Sequence, residues 1–375
     1  MSSRLLLIFS GFNQRAVISF LRTLKKANAP FVIVAKSYDD TIFKTEYKEN
    51  VICTRQSIPL RIEDLLNCIK QIIAIYPHKE LIIAPSTEAL NRFILKHKEI
   101  FAELKCLLPL PGKQLYELIS DKYSFGELCI KNEIEVPRIY ESLSAARMPF
   151  VAKPFKYFSR GDKIYSPVLI LNEHDKSEFP RHYDQDEFFY QEFVSGKSLY
   201  LLYYFHRNGT IFKYSQENIV QQPDGKSIIA AKSSNFHLSL ESVKYEQLLK
   251  KINYYGMIMI EVRQDKSNNY MIEANPRFWG PSQLFVDAEK NFFEAFLHDY
   301  GVLPEATNFY KNKNQVNYFW FGGFLESYKN GKKPIFHEGN EKKFLLELHK
   351  WLKCDIYNRK DTIEIFSTEM ESWIK

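Results

Sequence analysis

The first hundred or so residues alternate short apolar runs with segments of helical periodicity, and this alternation constrains the fold more than any other feature. Apolar runs of four or five residues are typical of buried strands, and the segments between them have the spacing of amphipathic helices. The predicted elements are strand 5–9 (LLLIF), helix 14–28, strand 31–35 (FVIVA), helix 62–76 and strand 81–84 (LIIA). Such βαβ alternation predicts a parallel sheet that is covered by helices.

A dinucleotide-binding loop is not expected in this region. Ser10 and Gly11 follow the first predicted strand, where a phosphate-binding turn would lie. The G-x-G-x-x-G spacing that lets the backbone approach a pyrophosphate is absent there. We therefore interpret the region as a scaffold or as a substrate-facing domain.

The pattern changes near Pro111 and Gly112. Residues 111–137 are typical of two consecutive short helices. After them the sequence is rich in strands, and a helix is predicted at 241–255. The predicted strands are 150–155 (FVAKPF), 164–171 (IYSPVLIL), 188–194 (FFYQEFV), a hairpin at 199–220 that turns at Asn208 and Gly209, and an antiparallel pair at 257–262 (MIMIEV) and 270–275 (YMIEAN).

The composition is that of an ordinary globular protein. Of 375 residues, 45% are hydrophobic and 26% charged, and no apolar stretch approaches the ~20 residues of a membrane helix. The apolar run at 5–9 is too short for a signal peptide, so a cytoplasmic protein without membrane contact is expected. The five cysteines form no C-x-x-C pair, which argues against a disulfide framework or a zinc site. The net charge of +6 is dispersed, and it suits an anionic small ligand at least as well as nucleic acid.

Two glutamates near the ends of the last predicted strands indicate a metal site. Glu261 and Glu273 stand on either side of a turn, and Asn275 shares a strand face with Glu273 because strand side chains alternate with period two. Such oxygen ligands suit Mg²⁺, which binds few carboxylates and completes its shell with water and phosphate. The alternative is that one glutamate lies at the surface and the other pairs with Arg263 or Arg277.

A metal ion held by so few protein ligands implies nucleotide phosphates, and two lysines stand in suitable contexts. Lys153 closes the strand FVAKPF, and Lys122 opens a helix, where backbone amides already favour anions. Either lysine taken alone is more often a solvated surface charge.

Two loops carry weaker signals. Ser159 and Gly161 lie between two strands, in a segment whose backbone amides could cap phosphates or form an ordinary hairpin turn. Residues 190–196 (YQEFVSG) end a strand in polar groups that suit a purine edge, although a plain strand end has the same pattern.

In this order, these segments resemble the ATP-grasp superfamily, of the carboxylate–amine ligase type that includes relatives of carbamoyl phosphate synthetase and D-alanine–D-alanine ligase. The likeness is strongest in IEANPRFWG (272–280), which resembles the family's E-x-N-P-R metal strand, and it extends to SDKYSF (120–125) and VAKPF (151–155).

The resemblance implies an α/β N-terminal domain with a Rossmann-like parallel sheet, followed by α+β ATP-grasp lobes. The implied boundaries are 1–111 for the first domain and 112–300 for the ATP-grasp domain, with a small ATP-binding lobe at about 145–195 and a catalytic metal-binding lobe at about 196–300. Residues 301–375 would be a C-terminal extension of unknown role, in which a helix is predicted at 339–353.

The resemblance also implies a role for each candidate residue. Two Mg²⁺ ions, with Mn²⁺ as the alternative metal, would be held by Glu261, Glu273 and Asn275. Lys153 and Arg277 are the implied catalytic residues, with Arg277 facing the γ-phosphate or the acyl-phosphate. The residues implied to bind ATP are Lys122 and Lys153 at the phosphates, Ser159 and Gly161 in the flap, and Gln191, Glu192 and the backbone of Val194 at the adenine.

Three departures from the family pattern concern ligand recognition. Lys197 and Ser198 stand where relatives often have an acid for the ribose, and the flap has only Gly161 where relatives have two or more glycines. The hairpin 216–227 (QENIVQQPDGKS) lacks the arginine and double glycine of similar relatives. These departures concern, in turn, recognition of the ribose, capping of the phosphates by the flap, and the binding site for the acceptor substrate.

The reaction implied is ATP-dependent joining of a small-molecule carboxylate to an amine through an acyl-phosphate, with no nucleic-acid partner and with a homodimer left open. One alternative is an ATP-grasp carboxylase or a kinase-like phosphotransfer enzyme. The other is a non-catalytic protein that binds nucleotides or nucleic acid. Trp279 is predicted either to wall the substrate pocket or to pack in the core.

Overall fold

The computed structural model of the chain describes residues 3–161, 163–266, 268–304, 315–329 and 331–374. These residues form three sheets, which follow one another along the chain. Within the described residues, no helix combines the length and the apolar character that crossing a membrane requires.

The first sheet is parallel throughout, as the βαβ alternation predicts. Its strands are β1 (Arg4–Phe9), β2 (Phe31–Ala35), β3 (Val51–Thr54), β4 (Glu80–Ile83) and β5 (Cys106–Leu107), in the order β3-β2-β1-β4-β5. Its helices are α1 (Gln14–Lys26), α2 (Ile62–Ile75), α3 (Glu88–Lys96) and α4 (Lys98–Glu103). Because the strand order reverses between β1 and β4, the loops that follow these two strands border a crevice.

Two helices lead into the second, antiparallel sheet. The elements are α5 (Lys113–Ser120), α6 (Lys122–Ile130), β6 (Ile139–Tyr140), β7 (Phe150–Pro154), β8 (Val168–Ile170), α7 (Glu173–His182) and β9 (Phe188–Glu192), with the strand order β6-β9-β7-β8. The strand predicted at 164–171 is wrong in its length, because only its last part pairs with β7. Helix α7, which is strongly polar, was not predicted.

The third sheet is also antiparallel and contains the predicted hairpin and the predicted acid-bearing strands. Its elements are β10 (Lys197–Phe205), β11 (Ile211–Gln221), β12 (Ile228–Ser234), α8 (Leu240–Lys251), β13 (Gly256–Asp265), β14 (Asn268–Asn275), α9 (Ser282–Asp287) and α10 (Phe292–Asp299). The strand order is β14-β13-β10-β11-β12, and β13 pairs antiparallel with β14 as predicted. Strand β14 ends at Asn275, directly before Pro276, which has no N–H to donate to the ladder.

The C-terminal part of the chain adds two strands to this sheet. Its elements are β15 (Asn317–Phe319), α11 (Phe321–Lys329), β16 (Ile335–Phe336), α12 (Glu341–Leu346), α13 (Leu348–Leu352) and α14 (Ile363–Ile374). Strand β15 pairs with β12, and β16 pairs with β11. The single helix predicted at 339–353 is wrong, because the chain breaks it at Glu347 (φ −98°, ψ 4°), and Phe344 and Trp351 stack across the break with ring centroids 5.2 Å apart.

Both faces of the third sheet are covered, which places its polar side chains in the interior. One face packs on α5, α6 and α8 through a cluster that includes Leu201 and Ile258. The other face shares the largest core with helix α1 of the first sheet, where the Phe20 ring lies 4.9 Å from the ring of Phe278. The segment after β14 is therefore held between the first and third sheets.

Candidate active site

Two neighbouring strands of the third sheet bring the acid pair together. Glu261 on β13 lies directly opposite Glu273 on β14, so both side chains leave the same face of the sheet. Asn275 follows Glu273 by two residues, and its Nδ2 donates to Glu273 Oε1 at 2.8 Å. Two carboxyl groups and one amide therefore converge at this end of the sheet.

Glu273 is paired with the first of the two lysines. Lys122, at the start of α6, places its Nζ 2.9 Å from Glu273 Oε2. Burial would raise the pKa of Glu273, but the charge of Lys122 and the hydrogen bonds from Lys122 and Asn275 outweigh it and lower the pKa to about 2. Glu273 is therefore ionised at neutral pH. Arg277, which the sequence offered together with Arg263 as a partner for one of the two glutamates, does not bond to the Glu273 carboxylate in the described structure.

Glu261 is the more deeply buried acid, and it is tethered through one oxygen. Arg263 Nη2 lies 3.0 Å from Glu261 Oε1, and Ser198 Oγ donates to the same oxygen at 3.3 Å. Burial raises the pKa of Glu261, against the opposing charge of Arg263. An ion pair between a glutamate and Arg263, which the sequence offered as an alternative to a metal site, is thus present at Glu261. Glu273 nevertheless lies directly opposite Glu261.

Lys153, at the end of β7, reaches from the second sheet to the third. Its Nζ donates to Gln191 Oε1 at 2.6 Å and to the backbone oxygen of Ile272 on β14 at 3.2 Å. Burial, reinforced by the nearby charge of Lys122, lowers the pKa of Lys153 to about 8. The amide of Gln191 is itself committed, because its Nε2 donates to Pro137 O at 3.3 Å.

Arg277 lies beside the acid pair and contacts Asn275. Its Nη2 lies 3.3 Å from Asn275 Oδ1, and its Nη1 donates to Phe278 O at 2.8 Å. Asn13, in the loop after β1, donates to the same carbonyl at 3.0 Å. The loop after β1 is therefore joined to the segment that follows β14 through the shared acceptor Phe278 O.

Of the residues predicted at the adenine, Gln191 bonds to Lys153 of this cluster, whereas Glu192, Val194 and the flap residues make no described hydrogen bond or ion pair with it. Ser159 closes its own loop, because its N–H donates to Lys163 O at 2.8 Å and its Oγ accepts from Lys163 N at 2.9 Å. Gly161 lies in the same exposed loop. Glu192 is exposed, and its N–H donates to Arg138 O at 2.8 Å. Val194 lies in the connection from β9 to β10 and is half-buried.

Trp279 packs in the core. It is 1% exposed, and its ring lies 5.4 Å from that of Phe285 and 6.2 Å from that of Phe292. A side chain so completely covered by protein leaves no surface to wall a substrate pocket. Of the two predictions for Trp279, packing in the core is therefore the one that the structure shows.

Sequence reasoning named Arg263 as a partner for one of the two glutamates, but it missed the other residues that surround Glu261 and Arg263. Ser198, singled out only as a departure at the ribose position, accepts from Asn218 Nδ2 at 2.9 Å as it donates to Glu261. The period of two on β13 would have placed Arg263 on the face of Glu261. No sequence signal indicated His337, whose Nδ1 lies 3.0 Å from Arg263 Nη1.

A second charged cluster adjoins Lys122 and was also missed. Asp121, buried at the start of α6, pairs with Arg92 Nη2 at 2.6 Å and with Lys156 Nζ at 3.2 Å. Arg92 pairs in turn with Glu88 at 2.9 Å. The cluster joins the first sheet's helix α3 to the loop that follows β7, so it borders the site on the side of the flap.

The donor set suits a magnesium ion that is bound together with phosphate. The described residues contain no cluster of three or more His, Cys, Asp or Glu side chains, so the acid pair and Asn275 would need further ligands. In the described structure, Arg263 and Ser198 both contact Glu261 through its Oε1, which leaves Oε2 for a cation. The charges of Lys122 and Lys153 are close enough to lower the pKa of Glu273, so positive groups that could bind a phosphate lie next to the acids, and the residues present fit a metal ion bound with phosphate.

No protein-family model and no curated protein matches the sequence. Solved structures do match over most of the chain. One is N5-carboxyaminoimidazole synthetase from Staphylococcus aureus complexed with ADP, with a TM-score of 0.64 and 15% identity over 93% of this chain and 96% of that chain.

Two biotin carboxylases are also similar. The enzyme from Campylobacter jejuni, in a β,γ-ATP complex, has a TM-score of 0.60 and 17% identity over 81% of this chain and 72% of its own. The biotin carboxylase domain dimer of 2-oxoglutarate carboxylase from Hydrogenobacter thermophilus, with MgADP and bicarbonate, has a TM-score of 0.59 and 13% identity over 83% and 72%. At these identities the likeness establishes the fold. The chain has the predicted ATP-grasp fold, an α/β N-terminal domain followed by α+β lobes.

Proposed function

We propose that this chain, which has the ATP-grasp fold, is an ATP-dependent ligase that activates a carboxylate as an acyl-phosphate and joins it to an amine. The observation that carries the proposal is the opposed pair Glu261 and Glu273 with Asn275, next to Lys122 and Lys153. The solved structures of similar fold support it, because they include a synthetase with ADP and a carboxylase with MgADP.

The metal and phosphate groups have separate candidate residues. Glu261, Glu273 and Asn275 would hold Mg²⁺, two ions in the family pattern, and the metal supplies positive charge that neutralises the phosphates during transfer. Lys122 and Lys153 would bind phosphate oxygens. Both ammonium groups now donate to protein oxygens, so a phosphate would replace the partners Glu273 and Gln191 at these groups.

The rest of the nucleotide would lie along the second sheet. Gln191, Glu192 and the backbone of Val194 would face the adenine, and Ser159 and Gly161 would cover the phosphates. The Ser198 hydroxyl is committed to Glu261 and Asn218, so we do not assign it to the ribose.

The reaction would proceed in two displacements. An oxygen of the acid attacks the γ-phosphorus, the bond from that phosphorus to the β–γ bridging oxygen breaks, and ADP leaves. The amine nitrogen then attacks the acyl carbon, the bond to the phosphate oxygen breaks, and phosphate leaves as the nitrogen loses a proton. Arg277, beside Asn275, would stabilise the negative charge of the transferred group. No side-chain nucleophile is required.

Glu273→Gln tests the proposal. Loss of the carboxylate charge is expected to lower substrate-dependent ADP release by about 100-fold or more. This loss exceeds the roughly 10- to 100-fold loss of activity that is typical when a residue that only supports a metal ligand is replaced. Glu246→Gln is the matched control, since Glu246 is also a partly buried glutamate paired with a lysine, Lys213, at 2.7 Å. Full ADP release by Glu273→Gln would exclude the metal assignment.

The acid and the amine can be identified by a screen. Pairs of small carboxylic acids with amino acids, peptides or amino sugars would be incubated with ATP, and ADP release would be recorded with the product mass. A ligase releases ADP only with both partners present. Phosphate transfer that requires no amine would favour the kinase-like alternative.

A second candidate function is carboxylation, in which bicarbonate is the acid. It is favoured by the similarity to the biotin carboxylase domain whose structure contains bicarbonate and MgADP. Bicarbonate-dependent ADP release in the absence of any other acid would support this function. A product mass that corresponds to an amide of an organic acid would contradict it.

A further inference from the structure

His337 belongs to the C-terminal part of the chain but reaches the face of the third sheet that carries Glu261. It directly follows β16, which pairs with β11, and its backbone N–H donates to Ile219 O at 2.9 Å. Its side chain lies between Arg263 and Gln221. Pairing of β16 with β11 thus places His337 next to Arg263, the ion-pair partner of Glu261.

The contacts of His337 determine which nitrogen of its ring carries the proton. Arg263 Nη1 lies 3.0 Å from Nδ1, and since a guanidinium can only donate, Nδ1 accepts and carries no proton. The proton is therefore on Nε2, which donates to Gln221 Oε1 at 2.9 Å. Burial, and after it the charge of Arg263, lower the pKa of His337 to about 3, so the ring is neutral at physiological pH.

This neutral ring accepts from Arg263 Nη1, whereas the contact with the acid is made by Nη2. Arg263 donates through Nη1 to His337, and its Nη2 lies 3.2 Å from Gln221 Oε1 and 3.0 Å from Glu261 Oε1. The guanidinium therefore has acceptors on two sides, which fixes its plane. Only one oxygen of Glu261 is engaged by it.

We propose that His337 is a positioning residue for the metal-binding carboxylate of Glu261. It fixes the guanidinium of Arg263 so that this group holds Glu261 Oε1 and leaves Oε2 to the metal. The inference rests on the proposed function, because it requires that Glu261 and Glu273 hold the cation. It also gives the C-terminal part of the chain a place in the site.

Binding of Mn²⁺ in the presence of ADP, followed by electron paramagnetic resonance, tests the inference without turnover. His337→Ala is expected to weaken Mn²⁺ binding about 10-fold, the lower end of the range for residues that support metal ligands. His337→Gln is expected to recover most of the affinity, because its amide can accept from Arg263 and donate to Gln221.

His237→Ala is the matched control. His237 is also a partly buried histidine against β11, 2.8 Å from Ser215 Oγ, and burial with the charges of Lys290 and Lys213 lowers its pKa to about 4. None of its contacts in the described structure is with Arg263 or Glu261. Its loss is expected to lower the melting temperature and to leave Mn²⁺ affinity unchanged. An equal loss of affinity in His237→Ala and His337→Ala would overturn the proposal.

Glu273→Gln separates this inference from the proposed function. If Glu273→Gln leaves Mn²⁺ binding unchanged, the metal site is wrong and both proposals fail. If it abolishes binding while His337→Ala binds as the wild type does, only the role of His337 fails. Should His337→Ala be too unstable to assay, Gln221→Leu removes the shared acceptor of His337 and Arg263, and wild-type affinity in that variant overturns the inference.

Discussion

Glu369, on α14, is a partly buried acid whose carboxyl group has neutral hydrogen-bond partners. Its Oε1 accepts from Trp320 Nε1 at 3.3 Å, and its Oε2 accepts from Gly322 N at 3.1 Å. Burial, and then the negative charge of Asp355, raise the pKa of Glu369 to about 8. Arg15 acts in the opposite direction but is too weak to reverse the shift. The folded protein therefore binds a proton here that the unfolded chain releases at lower pH.

This shift predicts a loss of stability with rising pH. A group with a folded pKa above its unfolded value stabilises the fold fully below the unfolded pKa, 4.5, and this contribution is lost as the pH rises to about 8. The free energy of unfolding is expected to fall by about 3 kcal/mol over that window. Urea denaturation at pH 5, 6, 7 and 8 measures it. Glu369→Gln is expected to flatten the profile.

Two features make this pH prediction specific. Asp355 also has a raised pKa, about 6, so its own contribution is lost at lower pH and the change between pH 6 and 8 reports on Glu369. Glu364→Gln is the control, because Glu364 is exposed on the same helix. A wild-type slope in Glu369→Gln between pH 6 and 8 would contradict the assignment.

At the scale of elements, the connection from the second sheet to the third requires a glycine at position 196. Gly196 directly precedes β10 and has φ 118°, and a Cβ built on it would lie 2.2 Å from the backbone oxygen of Gln264 on β13. Backbone atoms cannot move aside as a flexible side chain can. The start of β10 can therefore pair with β13 only if residue 196 has no side chain.

Gly196→Ala is expected to destabilise the protein by about 3 kcal/mol, from backbone strain together with the displaced strand. Gly209→Ala is the matched control, since Gly209 has φ 90° and no atom within 4 Å of a built Cβ. Gly209→Ala introduces backbone strain without a steric clash, so a destabilisation of about 1 kcal/mol is expected. Chemical denaturation compares the two variants. Equal losses would show that contact with Gln264 is unimportant.

At the scale of the whole molecule, the C-terminal part is tied to the first sheet as well as to the third. Arg22 on α1 makes two bonds to Asp361, Nε to Oδ2 at 2.8 Å and Nη2 to Oδ1 at 3.0 Å. It also donates to the backbone oxygen of Ile356 at 2.9 Å, and Tyr47 donates to Asp361 at 2.8 Å. Both members of the pair are largely buried. This junction connects the two ends of the chain.

Arg22→Ala is expected to destabilise the protein by about 3 kcal/mol, because it leaves Asp361 partly buried without its cation. Lys25→Ala on the same helix removes an exposed ion pair with Glu46 and is expected to change the free energy of unfolding by less than ~1 kcal/mol. Urea denaturation of both variants measures the difference. A small effect of Arg22→Ala would mean that the C-terminal part is held by its strands alone.

Much of the fold follows from local sequence. The apolar runs of β1, β2 and β4 are strands because strands buried on both faces need continuous apolar residues. The period of two placed Asn275 on the face of Glu273, and Pro276 marked the end of β14. The short strand β3 and the polar helix α7 were missed because tertiary contacts and not periodicity determine them.

The sequence by itself determined which residues are candidates for the proposed chemistry, since Glu261, Glu273, Asn275 and both lysines stand in recognisable local patterns. Only the tertiary structure decided their partners. Lys122 bonds to Glu273, Lys153 bonds to Gln191, and His337 lies 74 residues along the chain from the Arg263 that it contacts. Local patterns report which face of a strand or helix a side chain occupies, whereas charges and hydrogen bonds between distant segments depend on how the sheets pack.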